Sequence, residues 1–96
     1  MKIKVRREVE KDSETVFDVE ILEEESKTSH MVSVKNTTYN RLTGEEVSKR
    51  ELVEESFRFL LEREPKESIL SSFEIGTIER YFPEYPEQIS ERLMRE

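Results

Sequence analysis

The chain contains no cysteine and no tryptophan, one histidine, and two glycines that stand far apart, Gly44 and Gly76. Without cysteine, neither disulfides nor thiolate-held metals can brace the fold, and a reducing, cytoplasmic setting is expected. With so few glycines, no glycine-rich phosphate cradle can be built. The patterns G-x-x-x-x-G-K, G-x-G-x-x-G, G-x-S-x-G and H-E-x-x-H are all missing. No apolar stretch approaches the roughly 18 residues of a bilayer-crossing helix, so no membrane span is expected. The opening MKIKVRREVE alternates instead of holding an apolar block, so no secretory signal is expected. Positive charge is also scarce: 16 basic side chains stand against 23 acidic ones, a net charge of −7. Nucleic acid and anionic membrane both need a concentrated positive field, so this acidic balance argues against either as partner. No cofactor is expected. At 96 residues the chain should form one domain, 1–96.

What the chain does have is one strongly two-sided segment, Ser48–Arg63, SKRELVEESFRFLLER. Ser48 and Glu51 have the S-x-x-E spacing of a capping box, in which the two residues satisfy each other's free amides at a helix start. At helical periodicity Leu52, Val53, Phe57, Phe59, Leu60 and Leu61 fill one broad arc. Glu51, Glu54, Glu55, Arg58 and Glu62 fill the opposite one. Pro65 cannot continue the hydrogen-bond ladder and biases Glu64 away from helical geometry. The spacing therefore predicts a helix over 48–63, with an apolar arc wide enough to need both a sheet and further helices against it.

Residues 2–9 and 15–22 alternate with the period of strands, with turn character at Lys11-Asp12-Ser13. Opposed residues of an antiparallel pair share a face. A three-residue loop at Lys11–Ser13 sets Ile3 opposite Ile21, Val5 opposite Val19, Lys4 opposite Glu20 and Arg6 opposite Asp18. A two-residue loop sets apolar against charged residues throughout. A third strand is predicted at His30–Lys35, with Val32 and Val34 on the apolar face. Its expected register pairs Ile21 with Val32 and Asp18 with Lys35, after a polar loop at Glu23–Ser29; the alternative is that both strands continue further and the loop is tight. Residues 1–36 thus read as a β meander. Its free edges, at the first and third strands, are open to homo-oligomer formation by edge pairing.

Residues 37–96 read as the helical part. Asn36 or Thr37 caps a short helix that ends near Thr43-Gly44. Beyond Pro65, Ser71 and Glu74 repeat the capping-box spacing, which predicts a helix through Ile75, Ile78 and Phe82 that Pro83 stops. Pro86 then opens a last helix carrying Ile89 and Leu93. The expected fold class is α+β: a three-stranded antiparallel N-terminal sheet packed on one long helix, completed by short C-terminal helices.

Candidate functional residues are few. His30, alone on a strand and without cysteine neighbours, reads as structural. Glu23-Glu24-Glu25 lacks the alternating ligands and central glycine of a calcium loop and reads as solvated. All but two of the 23 acidic side chains are glutamates, so two close together carry no information. A glutamate-based small enzyme, which would need a deep cleft, remains an alternative.

Val32-Ser33-Val34-Lys35, followed by Tyr39, Leu42 and then Ser48, Glu51, Leu52, Val53 and Ser56, resembles the ribbon-helix-helix DNA-binding family. The resemblance covers about a third of the chain and implies a strand whose outward Ser33 and Lys35 contact the major groove. It stands as a second alternative.

The main expectation is a non-catalytic protein-interaction or regulatory module with a protein partner. Its candidate surface is Tyr81, Phe82, Pro83 and Tyr85, aromatics interleaved with prolines, since aromatics are favoured in interface cores. The competing expectation places Tyr81 and Phe82 in the core and leaves Pro83 and Pro86 to stop and start helices. An exposed Tyr85 would favour the interface.

Overall fold

The alternating segments do form strands, and they run longer than their apolar residues require. In the computed structural model, which describes residues 1–94, β1 (Lys2–Glu10), β2 (Glu14–Leu22) and β3 (Lys27–Lys35) form an antiparallel meander. The inward faces carry Val5, Phe17, Val19, Ile21, Val32 and Val34, all buried.

The turn between β1 and β2 differs from the expected one. Lys11 N–H donates to Glu14 O at 2.8 Å, closing a tight turn around Asp12 and Ser13. That turn alone would place apolar residues against charged ones. A β-bulge at Arg6 offsets it: Val5 faces Val19, but Arg7, not Arg6, faces Asp18. The two one-residue shifts cancel, so Ile3 still faces Ile21 and Lys4 faces Glu20.

The expected register of the third strand is corrected too. Phe17 pairs with Val32, Ile21 with Thr28, and Asp18 with Met31. This register lies four residues from the expected one. An even shift leaves every side chain on its own face, so alternation alone cannot tell the two apart. The alternative to a loop over 23–29 holds: both strands continue, and Glu23 N–H donates to Ser26 O at 2.9 Å in a tight turn.

The expected fold class needs correction. The described residues form a mixed α+β fold with a four-stranded sheet and four helices, not a three-stranded sheet with one long helix. The helix expected from Ser71 and Glu74 is instead β4 (Ser72–Glu74), which pairs parallel to β3 with Val32 opposite Phe73. Glu74 does not reach back to cap a helix at Ser71. Its Oε1 accepts from Gly76 N–H at 2.8 Å and its Oε2 from Lys35 N–H at 3.3 Å, so it caps the following 3-10 turn and ties it to β3. The sheet edges are therefore β1 and β4, and β3 is interior.

The helices are α1 (Asn36–Thr43), α2 (Lys49–Leu61), α3 (Ile78–Tyr81) and α4 (Tyr85–Met94). α1 ends at Gly44, whose φ of 63° is the left-handed conformation that glycine tolerates. α2 has the expected reciprocal capping box between Ser48 and Glu51. Its Leu52, Val53, Phe57, Phe59 and Leu60 are buried, with Leu61 half-buried. α4 lies on α2, where the Tyr85 hydroxyl meets Ser56 Oγ at 2.7 Å in the core.

Lys66 is the least expected member of the interior, only 2% exposed. Its ammonium donates to Glu23 Oε1 at 2.7 Å, to Ser26 Oγ at 2.6 Å and to Glu67 Oε2 at 2.5 Å. It thereby pins the β2–β3 turn to the segment after α2. The Glu23 and Glu67 carboxylates hold the Lys66 pKa above its ordinary value. The hydrogen bond from Lys66 holds the Glu67 carboxyl below the usual range. The stabilisation is therefore whole between the two titrations. It drains as pH falls through the depressed Glu67 value, and again as pH rises through the raised Lys66 value. Lys66→Met should give a flatter profile of melting temperature against pH at both limbs. An unchanged profile would show that the cluster contributes nothing.

Candidate functional site

The segment after α2 is built from residues that cannot all enter the core. Pro65 stops helical growth, a 3-10 turn follows at Lys66–Ser68, and the chain then passes along the sheet edge as β4. Ile69 is buried, but Leu70 is 47% exposed. Three residues after β4 the chain turns into α3, which ends at Tyr81, 65% exposed. Leu70 and Tyr81 form the lips of an apolar groove of about 130 Å³. Leu60, Ile69, Phe73, Ile78 and Phe82 line its depth, with Ser68 and Thr77 adding hydroxyls and Glu64 a carboxylate.

The groove walls are held by the core. The Phe73 ring lies against Phe57 with centroids 6.0 Å apart. Phe82 meets Phe59 edge-on at 5.9 Å. The Arg63 guanidinium sits 3.6 Å from the Phe59 centroid and donates to Glu84 Oε2 at 3.2 Å and Phe59 O at 3.1 Å. Glu84 is correspondingly held below the usual carboxylate range, first by a hydrogen bond from its own backbone and then by Arg63. Glu64 has no ion-pair partner among the described residues.

The aromatic-proline segment is thus divided between the two expectations: Tyr81 and Pro83 lie on the surface, Phe82 at its margin and Tyr85 in the core. Phe82 is half-buried in the groove wall, and Pro83 is exposed just past the end of α3. Leu70, Phe73 and Ile78, which complete the groove, were not legible as its members. Ile69, Leu70 and Phe73 share a helical spacing that conceals the extended course of the chain. The serine pair Ser71-Ser72 between Leu70 and Phe73 was the available signal.

The other candidates fall elsewhere. His30 is buried: its Nδ1–H donates to Leu70 O at 2.7 Å, and its Nε2 accepts from Thr28 Oγ1 at 2.9 Å. Both ring nitrogens are occupied, so in this arrangement neither offers a lone pair to a metal or substrate. Glu23 is engaged by Lys66. Among the described residues no group of three or more histidine, aspartate or glutamate side chains is placed to hold a metal.

Ser33 is half-buried and Lys35 exposed, on a strand flanked by β2 and β4 rather than free to pair with a second copy as a ribbon. Lys2, Lys4, Arg6 and Arg7 are exposed along β1. Glu20 takes Arg6 at 3.2 Å and Lys27 at 3.6 Å, and Arg41 pairs with Glu79 at 3.1 Å. Carboxylates therefore interrupt the positive charge. No helix among the described residues is long and apolar enough to cross a membrane.

No family model, curated protein or solved structure matches the chain.

Proposed function

We propose that this domain is a non-catalytic protein-interaction module, and that its groove seats one apolar side chain of a protein partner. The observation that carries this reading is the pair of exposed lips, Leu70 and Tyr81, over a wall of core-anchored rings. Sites for whole cofactors or drug-sized ligands run to about 300 Å³ and more. At about 130 Å³ this groove suits a single large side chain, the geometry of an interface anchor. Walls fixed beforehand reduce the ordering cost of binding. One carboxylate, Glu64, lines the groove, which gives no acid–base pair for glycoside-like chemistry.

Indole and p-cresol, as surrogates for tryptophan and tyrosine side chains, test the site by NMR titration. They should shift the methyl signals of Leu60, Ile69, Leu70 and Ile78, and the shifts should vanish in Leu70→Ser/Tyr81→Ser. Both positions are exposed, so each substitution should change stability by only about 0.5 kcal/mol. Shifts that persist in the variant, or that map to the outer sheet face, would remove the groove from consideration.

A further inference from the structure

We infer that the partner segment binds in extended form, as an added strand on the free edge of β4, with one apolar side chain in the groove and a lysine or arginine beside it facing Glu64. This rests on the groove being the interaction site.

Three observations converge on it. First, β4 is the last strand of the sheet, so one of its sides is open. Second, the direction of its unpaired groups is fixed. Met31 lies opposite Ser72 in a parallel pair, and Met31 N–H donates to Ser71 O at 2.8 Å. In a slanted parallel ladder this turns the N–H and C=O of Ser72 itself away from β3, towards the open side. Ser72 is exposed. Third, the groove lies on the inward side of that same strand, because Phe73, opposite buried Val32, is one of its walls.

A strand laid against β4 would run about 4.8 Å away, and its alternate side chains would share the face of Phe73. An apolar residue at such a position would enter the groove. A basic residue two positions along the same face would meet Glu64, which has no ion-pair partner among the described residues. Main-chain bonds supply affinity and the side-chain pocket supplies selection, as in other strand-addition complexes.

A displayed library of short random peptides, selected on the full chain with Leu70→Ser/Tyr81→Ser protein as competitor, supplies the probes. Enriched peptides should carry an apolar residue with lysine or arginine two positions away. Resynthesised with N-methyl groups on alternate amides, they should lose affinity about tenfold for one parity and keep it for the other, as expected for one or two lost hydrogen bonds. The Ser72 amide should exchange more slowly in the complex. Ser72→Pro, which removes only the outward donor, should weaken binding to a similar degree. If both parities bind alike, or the peptide binds as a helix, strand addition is overturned and the groove reading stands. If nothing is enriched over the competitor, both fall.

Discussion

Phe57→Ala should lower the unfolding free energy by about 3–5 kcal/mol, the largest effect expected of any single substitution here. Phe57 is fully buried on α2 and meets two rings from different strands, His30 at 5.5 Å and Phe73 at 6.0 Å. Few side chains could move to fill the void. β4 is only three residues long and has little ladder of its own. Urea titration followed by circular dichroism measures the effect as a lower midpoint at unchanged slope. A loss below about 1 kcal/mol would mean that the site collapses readily around the smaller side chain. The same variant should weaken the groove, since Phe73 loses its support.

Tyr85→Phe should cost about 1–3 kcal/mol, because it leaves the Ser56 hydroxyl buried without its partner. Ser56→Ala should cost a comparable amount by stranding the phenol. The double variant Ser56→Ala/Tyr85→Phe removes both groups together and should be well short of the sum. A double-mutant cycle reads this as a coupling energy. Strict additivity would show that the two hydroxyls do not interact in the fold.

The phenol adds a pH signature. Burial pushes its pKa well above the ordinary value of 10. The folded state therefore keeps the proton while the unfolded chain releases it. Stability is unaffected below the unfolded value and falls as pH rises beyond it. Tyr85→Phe should remove that part of the alkaline loss.

Much of the core was legible in the sequence because it obeys one periodicity at a time. The buried arc of α2 and the Ser48–Glu51 cap follow from helical spacing. The inward residues of β2 and β3 follow from alternation, but in β1 the bulge at Arg6 turns Val9, which alternation puts on the apolar face, to the outside. Legibility failed where two readings satisfy the same pattern. Ser71 and Glu74 match a capping box, but Glu74 serves Gly76 and Lys35 instead. The β2–β3 register could slide by an even number without moving a residue to the wrong face. Lys66 was hidden for a different reason. Its burial depends on Glu23 and Ser26, more than forty and exactly forty residues away respectively in the hydrogen bonds that hold it, and no local pattern reports a partner so distant. The groove inherits these failures, since its residues come from the segment whose course was misread. Tyr81, Phe82 and Tyr85 were singled out together for their composition, but the burial of Tyr85 depends on how α4 docks onto Ser56.

The parallel pairing of β4 with β3 also makes the closing of the sheet a long-range step. The two strands are separated by α1 and α2, and the Leu70 carbonyl that receives the His30 proton donor is forty residues downstream of it. The meander, α1 and α2 all precede β4 in the chain, so they can form while the far side of β3 is still bare. Until β4 docks, the chain presents an uncovered border of main-chain groups along β3.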